Sequence, residues 1–369
     1  MIALNDLSRH HAPLRAALDT AIARVQDRGH YILGPEVEAF EREFAAYCGA
    51  GSCVAVANGT DALELALRAL DLGAGDEVAT VANAGGYAST TIHAVGARPV
   101  YVEVDDASLL MDPASLAQTI TPRTRAVIVT HLYGRVADLD AIGRVASERG
   151  LALIEDCAQA HGARRGIQMA GTVGAIGCFS FYPTKNLGAL GDAGALVTSD
   201  EALAAKITTL RTYAWRGKYR VAAPGGMNSR MDELQAAVLR VKLPHLDAWN
   251  QTRRTIAQRY ANAIANAAIA LPPPIDDAVC ADVAHLYVVR TRWRDELRAH
   301  LAAAGVATDI HYPVPDHRQP PWSDGAKALT RTERACAEVL SLPCYPELTD
   351  SEIAAVAAAC NSWRPATRL

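Results

Sequence analysis

The chain contains 369 residues, of which 50% are hydrophobic and 21% are charged, a balance that is typical of globular proteins and excludes a disordered or fibrous chain. Its formal net charge is -4 at pH 7 and it has no long run of lysine and arginine, so we expect no nucleic-acid partner. The first residues lack the pattern of a secretion signal and no apolar run reaches the roughly 18 residues of a membrane span, which predicts a cytoplasmic protein without a membrane partner.

Seven short apolar or β-branched runs alternate with helix-like stretches over the first 200 residues, which predicts an α/β domain with a mostly parallel sheet. The runs are SCVAVA (52–57), EVATVA (77–82), RPVYVEV (98–104), AVIVTHL (126–132), LALIED (151–156), IGCFSFY (176–182) and AGALVTS (193–199). Behind Asn58-Gly59-Thr60, apolar residues recur at helical spacing from Ala62 to Leu70. A strand, a tight turn and a helix are therefore expected in close succession there.

The sequence pattern of the second half of the chain predicts a helical segment followed by a smaller domain. Residues 229–262 are charged and helical in pattern, and the three prolines of LPPPIDD (271–277) interrupt them. The tail then alternates the strand-like run HLYVVR with the helical stretches RDELRAHLAAAG and SEIAAVAAAC. We predict a large domain over residues 1–250 and a smaller C-terminal α+β domain over residues 251–369.

The eight cysteines are scattered through apolar surroundings and form no CxxC pair. Free cysteine usually behaves as a small buried hydrophobe. We therefore expect reduced core thiols rather than disulfides, and no metal site.

Three segments place polar groups where predicted strands end. The turn at residues 58–61 begins a helix, whose free N–H groups and dipole favour a phosphate, and Thr60 adds a hydroxyl. The fifth strand ends in Glu155 and Asp156, of which only one can face a ligand, because neighbouring side chains on a strand point to opposite faces. Lys185 follows the sixth strand in SFYPTKN and precedes a glycine-rich stretch.

Each feature alone also has a purely structural explanation. The turn at residues 58–61 can be a helix cap that binds no ligand, and Lys185 can be a solvated surface residue. Together they fit pyridoxal phosphate (PLP), which needs an amine for a Schiff base, an acid that keeps the ring nitrogen protonated and a phosphate cradle. Those needs are met by Thr60, Asp156, Ser180 and Lys185. A lysine beside a carboxylate and a phosphate pocket can also lose its proton and become a nucleophile.

Over nearly its whole length the chain resembles the DegT/DnrJ/EryC1/StrS family of sugar aminotransferases. The motifs that carry the resemblance are GHYILGPEVEAFEREFAAYCG from Gly29, VAVANGTDALELAL from Val54, HLYGRVADLDAI from His131, IEDCAQAHGA from Ile154, FSFYPTKNLGALGDAGA from Phe179, NSRMDELQAAVLRVKL from Asn228, DIHYPVPDH from Asp309 and LPCYPELTD from Leu342. The resemblance implies a fold-type-I PLP transferase, with a mostly parallel seven-stranded sheet in its large domain. It also implies a homodimer whose active sites lie at the subunit interface.

The resemblance also implies roles for individual residues. Lys185 corresponds to the Schiff-base lysine that carries the proton, Asp156 to the carboxylate on the pyridinium nitrogen, and Gln159 to the side chain at the ring hydroxyl. An ionised Asp156 beside a pyridinium would have a lowered pKa. The expected phosphate cup contains Gly59, Thr60, Ser180 and, from the partner subunit, Asn228. The substrate-binding candidates are Tyr31, His161, His311 and Tyr312.

Some of these roles have structural alternatives. His161 could equally be a hydrogen-bonded core histidine, and the tyrosines could be packing residues. Relatives place an aromatic ring over the cofactor at a position that, counted back from Gly96, falls on Gly85 in this chain. Tyr87 is then the candidate to reach the ring by a changed turn, unless it only packs or another group replaces it. Relatives with histidine in place of the lysine catalyse dehydration, and Lys185 argues against that activity.

The predicted activity is a ping-pong transamination from glutamate or glutamine to a keto sugar, in the first place a nucleotide-linked one, in the biosynthesis of an amino sugar for an antibiotic or a polysaccharide. The alternative substrate is a keto-cyclitol or another cyclic ketone, as in aminoglycoside biosynthesis. A non-catalytic PLP-binding regulator is a more remote alternative. A nicotinamide dehydrogenase is disfavoured, because no GxGxxG follows an early strand.

Overall fold

The structure is a computed structural model that describes residues 1–275, 280–323 and 327–366. The strands are β1 (Ser52–Val56), β2 (Glu77–Val81), β3 (Arg98–Val102), β4 (Thr124–Thr130), β5 (Ala152–Asp156), β6 (Arg164–Arg165), β7 (Gln168–Met169), β8 (Ile176–Ser180), β9 (Gly194–Thr198), β10 (Cys280–Ala281), β11 (Tyr287–Arg290) and β12 (Val339–Leu342). The α-helices are α1 (Leu7–His11), α2 (Arg15–Arg28), α3 (Pro35–Cys48), α4 (Gly59–Ala69), α5 (Tyr87–Ala94), α6 (Pro113–Thr119), α7 (Leu139–Glu148), α8 (Glu201–Leu210), α9 (Glu233–Lys242), α10 (Leu246–Ala263), α11 (Arg294–Ala303), α12 (Thr330–Glu338) and α13 (Asp350–Ser362). Short 3-10 turns lie at Ala12–Leu14, Leu132–Gly134, Leu243–His245, Asp316–Arg318 and Pro320–Trp322.

One seven-stranded sheet organises the first 200 residues, in the order β1-β9-β8-β5-β4-β2-β3. The strands β3, β2, β4, β5 and β8 pair in parallel, whereas β9 runs antiparallel to both β8 and β1. Each of the seven predicted runs overlaps one of these strands, and β4 begins two residues before its run. The predicted mostly parallel sheet is therefore confirmed, and its carboxyl ends gather the loops in which the candidate site residues lie.

Neighbouring residues of the strands pack into two different cores, one on each face of the sheet. In β4, Val127 and Val129 join a core with Phe44 of α3, while Ile128 between them joins a core with Leu65 of α4. This follows from the period of two along a strand. Because both faces are covered by helices, the strands are apolar throughout, as the sequence shows.

A third core is built from the C-terminal part of the chain. It contains buried residues from Ile256 to Trp363, contributed by α10, β11, α11, β12 and α13. The strand and helices predicted for the tail are thus present. The predicted domain boundary after residue 250 lies inside α10, and the N-terminal residue Ile2 pairs with Val306 of the C-terminal part. The division into two domains stays a prediction.

Two further observations bear on the expectations from composition. The cysteines whose side chains are described, Cys48, Cys53, Cys157, Cys178, Cys336, Cys344 and Cys360, are buried and free. This agrees with the expectation of buried core thiols. None of the described helices is both long and apolar enough to cross a bilayer.

We predict that Gly194→Ala destabilises the junction between β9 and the start of α4. A Cβ at Gly194 would lie 2.3 Å from the carbonyl oxygen of Asn58, a backbone atom that cannot rotate away. The free energy of unfolding should fall by about 1–3 kcal/mol, as at other overpacked sites. Gly143→Ala is the matched control, because Gly143 lies inside α7 with no atom within 4 Å of a Cβ. It should raise the free energy of unfolding by about 0.5–1 kcal/mol. Urea titrations that gave equal values for both variants would contradict this account of the junction.

Candidate active site

The two carboxylates at the end of β5 face opposite sides of the sheet. Glu155 accepts hydrogen bonds from the N–H of Gly171 at Oε2 and of Gly174 at Oε1, at 2.8 and 2.7 Å, and His131 Nε2 lies 2.9 Å from Oε2. Burial raises the pKa of Glu155, but the hydrogen bond from His131 and those from the backbone outweigh it and lower the pKa. Glu155 is thus a satisfied structural anion, and Asp156 is the carboxylate left for a ligand. The expectation that one of the pair would face away is confirmed.

Asp156 is buried and only partly satisfied by its protein partners. Its carboxylate accepts hydrogen bonds from the Ala158 N–H at 3.1 Å and from the Thr130 hydroxyl at 3.2 Å. Burial raises the pKa of Asp156, while the Ala158 N–H and the charge of Lys185 lower it less. The lowered pKa expected from the sequence assumed a pyridinium in contact. Without such a contact, burial is the larger effect and the pKa of this carboxyl is raised.

Lys185 lies in the turn after β8, where its N–H donates to the carbonyl of Tyr182 at 2.8 Å. Burial lowers the pKa of its amine to about 8, and the charge of Asp156 opposes that shift. A substantial fraction of the amine is therefore deprotonated near neutral pH and can act as a nucleophile. Asp156 and Lys185 alter each other's pKa but form no ion pair.

A buried polar network fixes the backbone that carries Lys185. The next residue, Asn186, donates from Nδ2 to Asn250 Oδ1 at 2.8 Å and lies 2.8 Å from His285 Nδ1 through its Oδ1. Lys242 Nζ donates to the carbonyl of Gly188 at 2.6 Å. The position of the reactive amine therefore depends on side chains from α9, α10 and the segment before β11.

The start of α4 and the end of β8 form a cradle suited to a phosphate. Gly59 and Thr60 are the first residues of α4, and Asn58 caps the helix by accepting from the Asp61 N–H at 2.8 Å. A Cβ at Gly59 would lie 2.5 Å from the Cβ of Ser180, so only glycine lets these two elements approach so closely. Free helix N–H groups, the helix dipole and two hydroxyls converge here, as anion sites require.

Lys185 lines a cavity of about 450 Å³, a volume suited to a small-molecule ligand. Its walls come from the N-terminal segment at Asn5, from Gln159, from α10 at Arg253 and from residues 309–312. A larger depression of about 810 Å³ beside Trp322 does not contain Lys185, and Asp156 lines neither of the two. The chemistry of the lining, rather than the volume, therefore marks the first cavity as the candidate site.

Two tyrosines fill the space beside Gly85. The rings of Tyr87 and Tyr312 meet edge to face with centroids 6.1 Å apart. A Cβ at Gly85 would lie 2.9 Å from the ring of Tyr312 and 3.0 Å from that of Tyr87. Gly85 and Gly86 both have a φ of +83°, a left-handed conformation that bends the chain into α5 at little energetic cost. Glycine at the position where relatives carry an aromatic residue thus makes room for rings from two other positions.

Gln159 connects this tyrosine pair to the end of the fourth strand. Its Oε1 accepts from the Tyr133 N–H at 2.6 Å, and its Nε2 donates to the hydroxyl of Tyr312 at 3.2 Å. His311 lines the same cavity, and its Nδ1 lies 2.9 Å from the hydroxyl of Ser341. Gln159, Tyr87, His311 and Tyr312 are therefore brought together around Lys185.

Seven of the predicted residues are not among those that line this cavity: Asp156, Gly59, Thr60, Ser180, Tyr31, His161 and Asn228. His161 is fully buried, with its ring 5.5 Å from those of Phe179 and Phe181, and burial lowers its pKa to about 3. A neutral core histidine fits that position better than a substrate ligand. Tyr31 is 49% exposed and Asn228 is exposed.

Sequence reasoning missed several residues of the site. They are Asn5, Asn186, Arg253 and His285. Arg253 stands in the helical run NQTRRTIAQRY, where a charged residue normally marks a solvated helix face, and His285 precedes a strand. Neither pattern distinguishes a buried functional group, so no signal in the sequence could have selected them.

The family model of the DegT/DnrJ/EryC1/StrS aminotransferase family matches residues 14–361. The chain is 46% identical over 362 residues to a Streptomyces venezuelae protein named dTDP-3-amino-3,4,6-trideoxy-alpha-D-glucose transaminase, covering 97% of this chain and 95% of the relative. It is 49% identical over 351 residues to the Saccharopolyspora erythraea erythromycin biosynthesis sensory transduction protein EryC1, covering 93% and 94%. A crystal structure of S. venezuelae DesV in complex with a ketimine intermediate superposes with a TM-score of 0.95, at 46% identity and 98% coverage of both chains. The expected fold-type-I architecture is confirmed by these matches and by the sheet.

The loop that carries His311 and Tyr312 is tied to the start of α5 by a buried carboxylate. Asp316 is 1% exposed, accepts a hydrogen bond from the Ser89 hydroxyl at 2.5 Å, and donates its own N–H to the carbonyl of Ala82 at 2.7 Å. Burial raises the pKa of Asp316 to about 6. Burial also raises the pKa of its neighbour Tyr101 to about 12, so this phenol does not titrate in the same range.

We predict that Asp316→Asn stabilises the fold at neutral pH. Because the folded pKa of about 6 lies above the ordinary value of 3.8, the protonated carboxyl stabilises the fold at acid pH and this contribution is lost as the pH rises through 6. Asparagine lacks the charge, so the variant should exceed the wild type by about 1–3 kcal/mol at about pH 7.5 and match it near about pH 4. Unfolding titrations across this range test the prediction. Asp27→Asn, at an exposed position, is the control and should show no pH-dependent difference.

Proposed function

The chain belongs to the DegT/DnrJ/EryC1/StrS aminotransferase family, and on this premise we propose that it transfers an amino group from glutamate or glutamine to the ketone of a nucleotide-linked sugar. Enzymes of this family use PLP, whose ring acts as the electron sink when a proton leaves the carbon next to the nitrogen. The protein's own contribution is to hold that ring, to keep its nitrogen protonated and to move the proton.

The observation that supports this function most strongly is the pair formed by Lys185 and Asp156. An amine whose pKa is lowered by burial lies within electrostatic reach of a buried carboxylate whose pKa is raised, and no ion pair joins them. A cofactor with an aldehyde on one side and a pyridinium nitrogen on the other would satisfy both groups. Lys185 would hold the cofactor and carry the proton, while Asp156 would hold the ring nitrogen.

The remaining groups around Lys185 fit the other substituents of the cofactor. Gly59, Thr60 and Ser180 offer N–H groups and hydroxyls for its phosphate. Gln159 already donates to the Tyr312 hydroxyl, and the same amide is placed to meet the hydroxyl of the ring. Tyr87 and Tyr312 occupy the space beside Gly85, so this pair takes the place of the single aromatic residue of relatives.

We assign the ketone to carbon 3 of a dTDP-linked deoxysugar. The support is the name of the Streptomyces venezuelae relative, in which the amine stands on carbon 3 of such a sugar. The keto-cyclitol alternative rests on the family resemblance, which includes cyclitol aminotransferases, and on the two glycines, which would reshape the substrate side if they opened room there. That room is taken by Tyr87 and Tyr312, so the glycines give the alternative no support.

We further propose a homodimer in which each site is completed by the other subunit. Tyr31 and Asn228 lie in motifs of the family yet are exposed and outside the cavity of their own subunit. Exposed polar residues of this kind are available to a second copy related by two-fold symmetry.

Lys185→Ala should abolish both the visible absorbance band of the lysine-bound cofactor and turnover, the latter by about a thousandfold or more, since the nucleophile and proton carrier is lost. Lys206→Ala, which removes a surface amine paired with Asp71, is the control and should keep both the band and turnover.

The substrate is tested on the wild type with dTDP-linked 3-keto sugars and with keto-cyclitols, after glutamate has bleached the band. If only keto-cyclitols restored the band, the proposed nucleotide-linked keto sugar would be refuted. If glutamate did not bleach the band, a non-catalytic PLP-binding regulator would be favoured.

Asn228→Ala and Lys185→Ala subunits should restore activity when combined in one dimer. If Asn228 serves the partner's site, one site of the hybrid carries both changes and the other carries neither, so about half of the wild-type activity returns. Co-expression with two affinity tags isolates the hybrid, and each singly changed homodimer is the control. Failure of the hybrid to exceed the Asn228→Ala homodimer would place Asn228 in its own subunit's site or in no site.

A further inference from the structure

Arg253 is a buried cation without an acidic partner. Its residue is 5% exposed, and its Nη1 donates to the carbonyls of Cys344 at 2.5 Å and of His285 at 3.3 Å. Its Nε has no hydrogen-bond partner, and in the described part of the chain no aspartate or glutamate forms an ion pair with it. Arg211, also buried, shows the usual arrangement: its Nη1 lies 2.5 Å from the carboxylate of Glu41.

An unpaired buried charge is costly, by several kcal/mol for an isolated ion. A lysine or a carboxyl group can escape this cost by changing its protonation, but a guanidinium stays charged in proteins. The two backbone carbonyls compensate Arg253 in part, since they are dipoles and carry no net charge. Glu347 acts on Arg253 through its charge without contacting it and is itself paired with His10, so the guanidinium can accept an anion inside the cavity.

Arg253 lines the same cavity as Lys185. The charges of both residues act on His285. Burial lowers the pKa of His285 well below the usual value, and the charges of Lys185 and Arg253 lower it further. The acid among the described residues of the cavity wall is Asp309, whose side chain is 58% exposed. An anion that enters the cavity thus meets a neutral histidine and an unpaired guanidinium near the reactive amine.

We infer that Arg253 binds the α-carboxylate of the amino-acid donor, an inference that rests on the proposed transaminase function. In an amino acid the carboxylate and the reacting nitrogen are attached to the same carbon, so an anion site must lie in the same small cavity as Lys185. The planar fork of arginine fits a carboxylate through two parallel hydrogen bonds. The diphosphate of a nucleotide sugar is separated from carbon 3 by the sugar ring, which places it toward solvent, away from the buried Arg253.

The two half-reactions distinguish this role from a structural one. In Arg253→Gln, which keeps donors for the carbonyls but loses the charge, kcat/KM for bleaching of the cofactor band by glutamate should fall about 30- to 100-fold. The return of the band with a dTDP-linked 3-keto sugar, measured in single turnover from the aminated cofactor, should stay within about threefold. Arg259→Gln, on the same helix but paired with exposed Asp350, is the matched control and should change neither half-reaction.

A binding measurement gives a readout that is independent of turnover. Glutarate, which has the carboxylates of glutamate but no amine, should bind the cofactor-loaded wild type and the Arg259→Gln variant in calorimetry. It should not bind Arg253→Gln. If Arg253→Gln does not fold, Arg253→Lys keeps the charge but loses the fork, and the donor half-reaction should again fall more than the sugar half-reaction.

Three results would overturn the inference. An equal loss in both half-reactions would make Arg253 a structural residue, and a loss confined to the sugar half-reaction would assign it to the diphosphate. Unchanged binding of glutarate by the folded variant would also refute it. If wild-type protein is bleached by glutamate in an Arg253-dependent manner but no keto sugar restores the band, the proposed substrate fails while the donor site stands.

Discussion

A buried carboxylate, Asp156, and a half-buried amine, Lys185, act on each other's pKa without forming an ion pair, and the candidate site is built around these two groups. Burial raises the pKa of the carboxyl and lowers that of the amine, so in both groups the uncharged form is favoured more than it is in water. If the two met directly, each would be neutralised by the other and neither would need a ligand. Asp156 ends β5, Lys185 lies in the turn after the neighbouring strand β8, and no ion pair joins them.

The separation is maintained by neighbouring elements rather than by the two residues themselves. Glu155 accepts hydrogen bonds from residues 171–174, which fixes the end of β5, and Asn186 is held by Asn250 and His285. These are fully paired polar groups in the interior, where a missing partner would be costly. A PLP-dependent aminotransferase needs this rigidity, since its lysine must reach both the cofactor and the substrate carbon.

Ping-pong transamination also requires one cavity to accept two unlike molecules in turn. The donor is an amino acid with a carboxylate beside the reacting nitrogen, whereas the proposed acceptor is a sugar with hydroxyl groups around its ketone. A wall with one guanidinium, at Arg253, and several neutral hydrogen-bonding groups, including Gln159 and Tyr312, can serve both. Arg253 selects the amino-acid donor through its charge. The neutral groups can form hydrogen bonds with either molecule, and they add no further buried charge that would need a partner.

The seven strands, the helix start at Asn58, the tail elements and the family were all predicted from the sequence, because apolar periodicity and local motifs are properties of neighbouring residues. The same local reasoning identified Lys185, Asp156 and the residues of the phosphate cradle, which stand in contiguous motifs at strand ends. It could not show that Tyr87 and Tyr312, 225 positions apart, fill the space beside Gly85, nor that His161 lies between two phenylalanines. It gave no sign of Arg253, since a buried arginine and a solvated one look alike in a helical pattern. Those contacts join residues distant in the chain, and only the packing of the C-terminal part against the sheet brings them together.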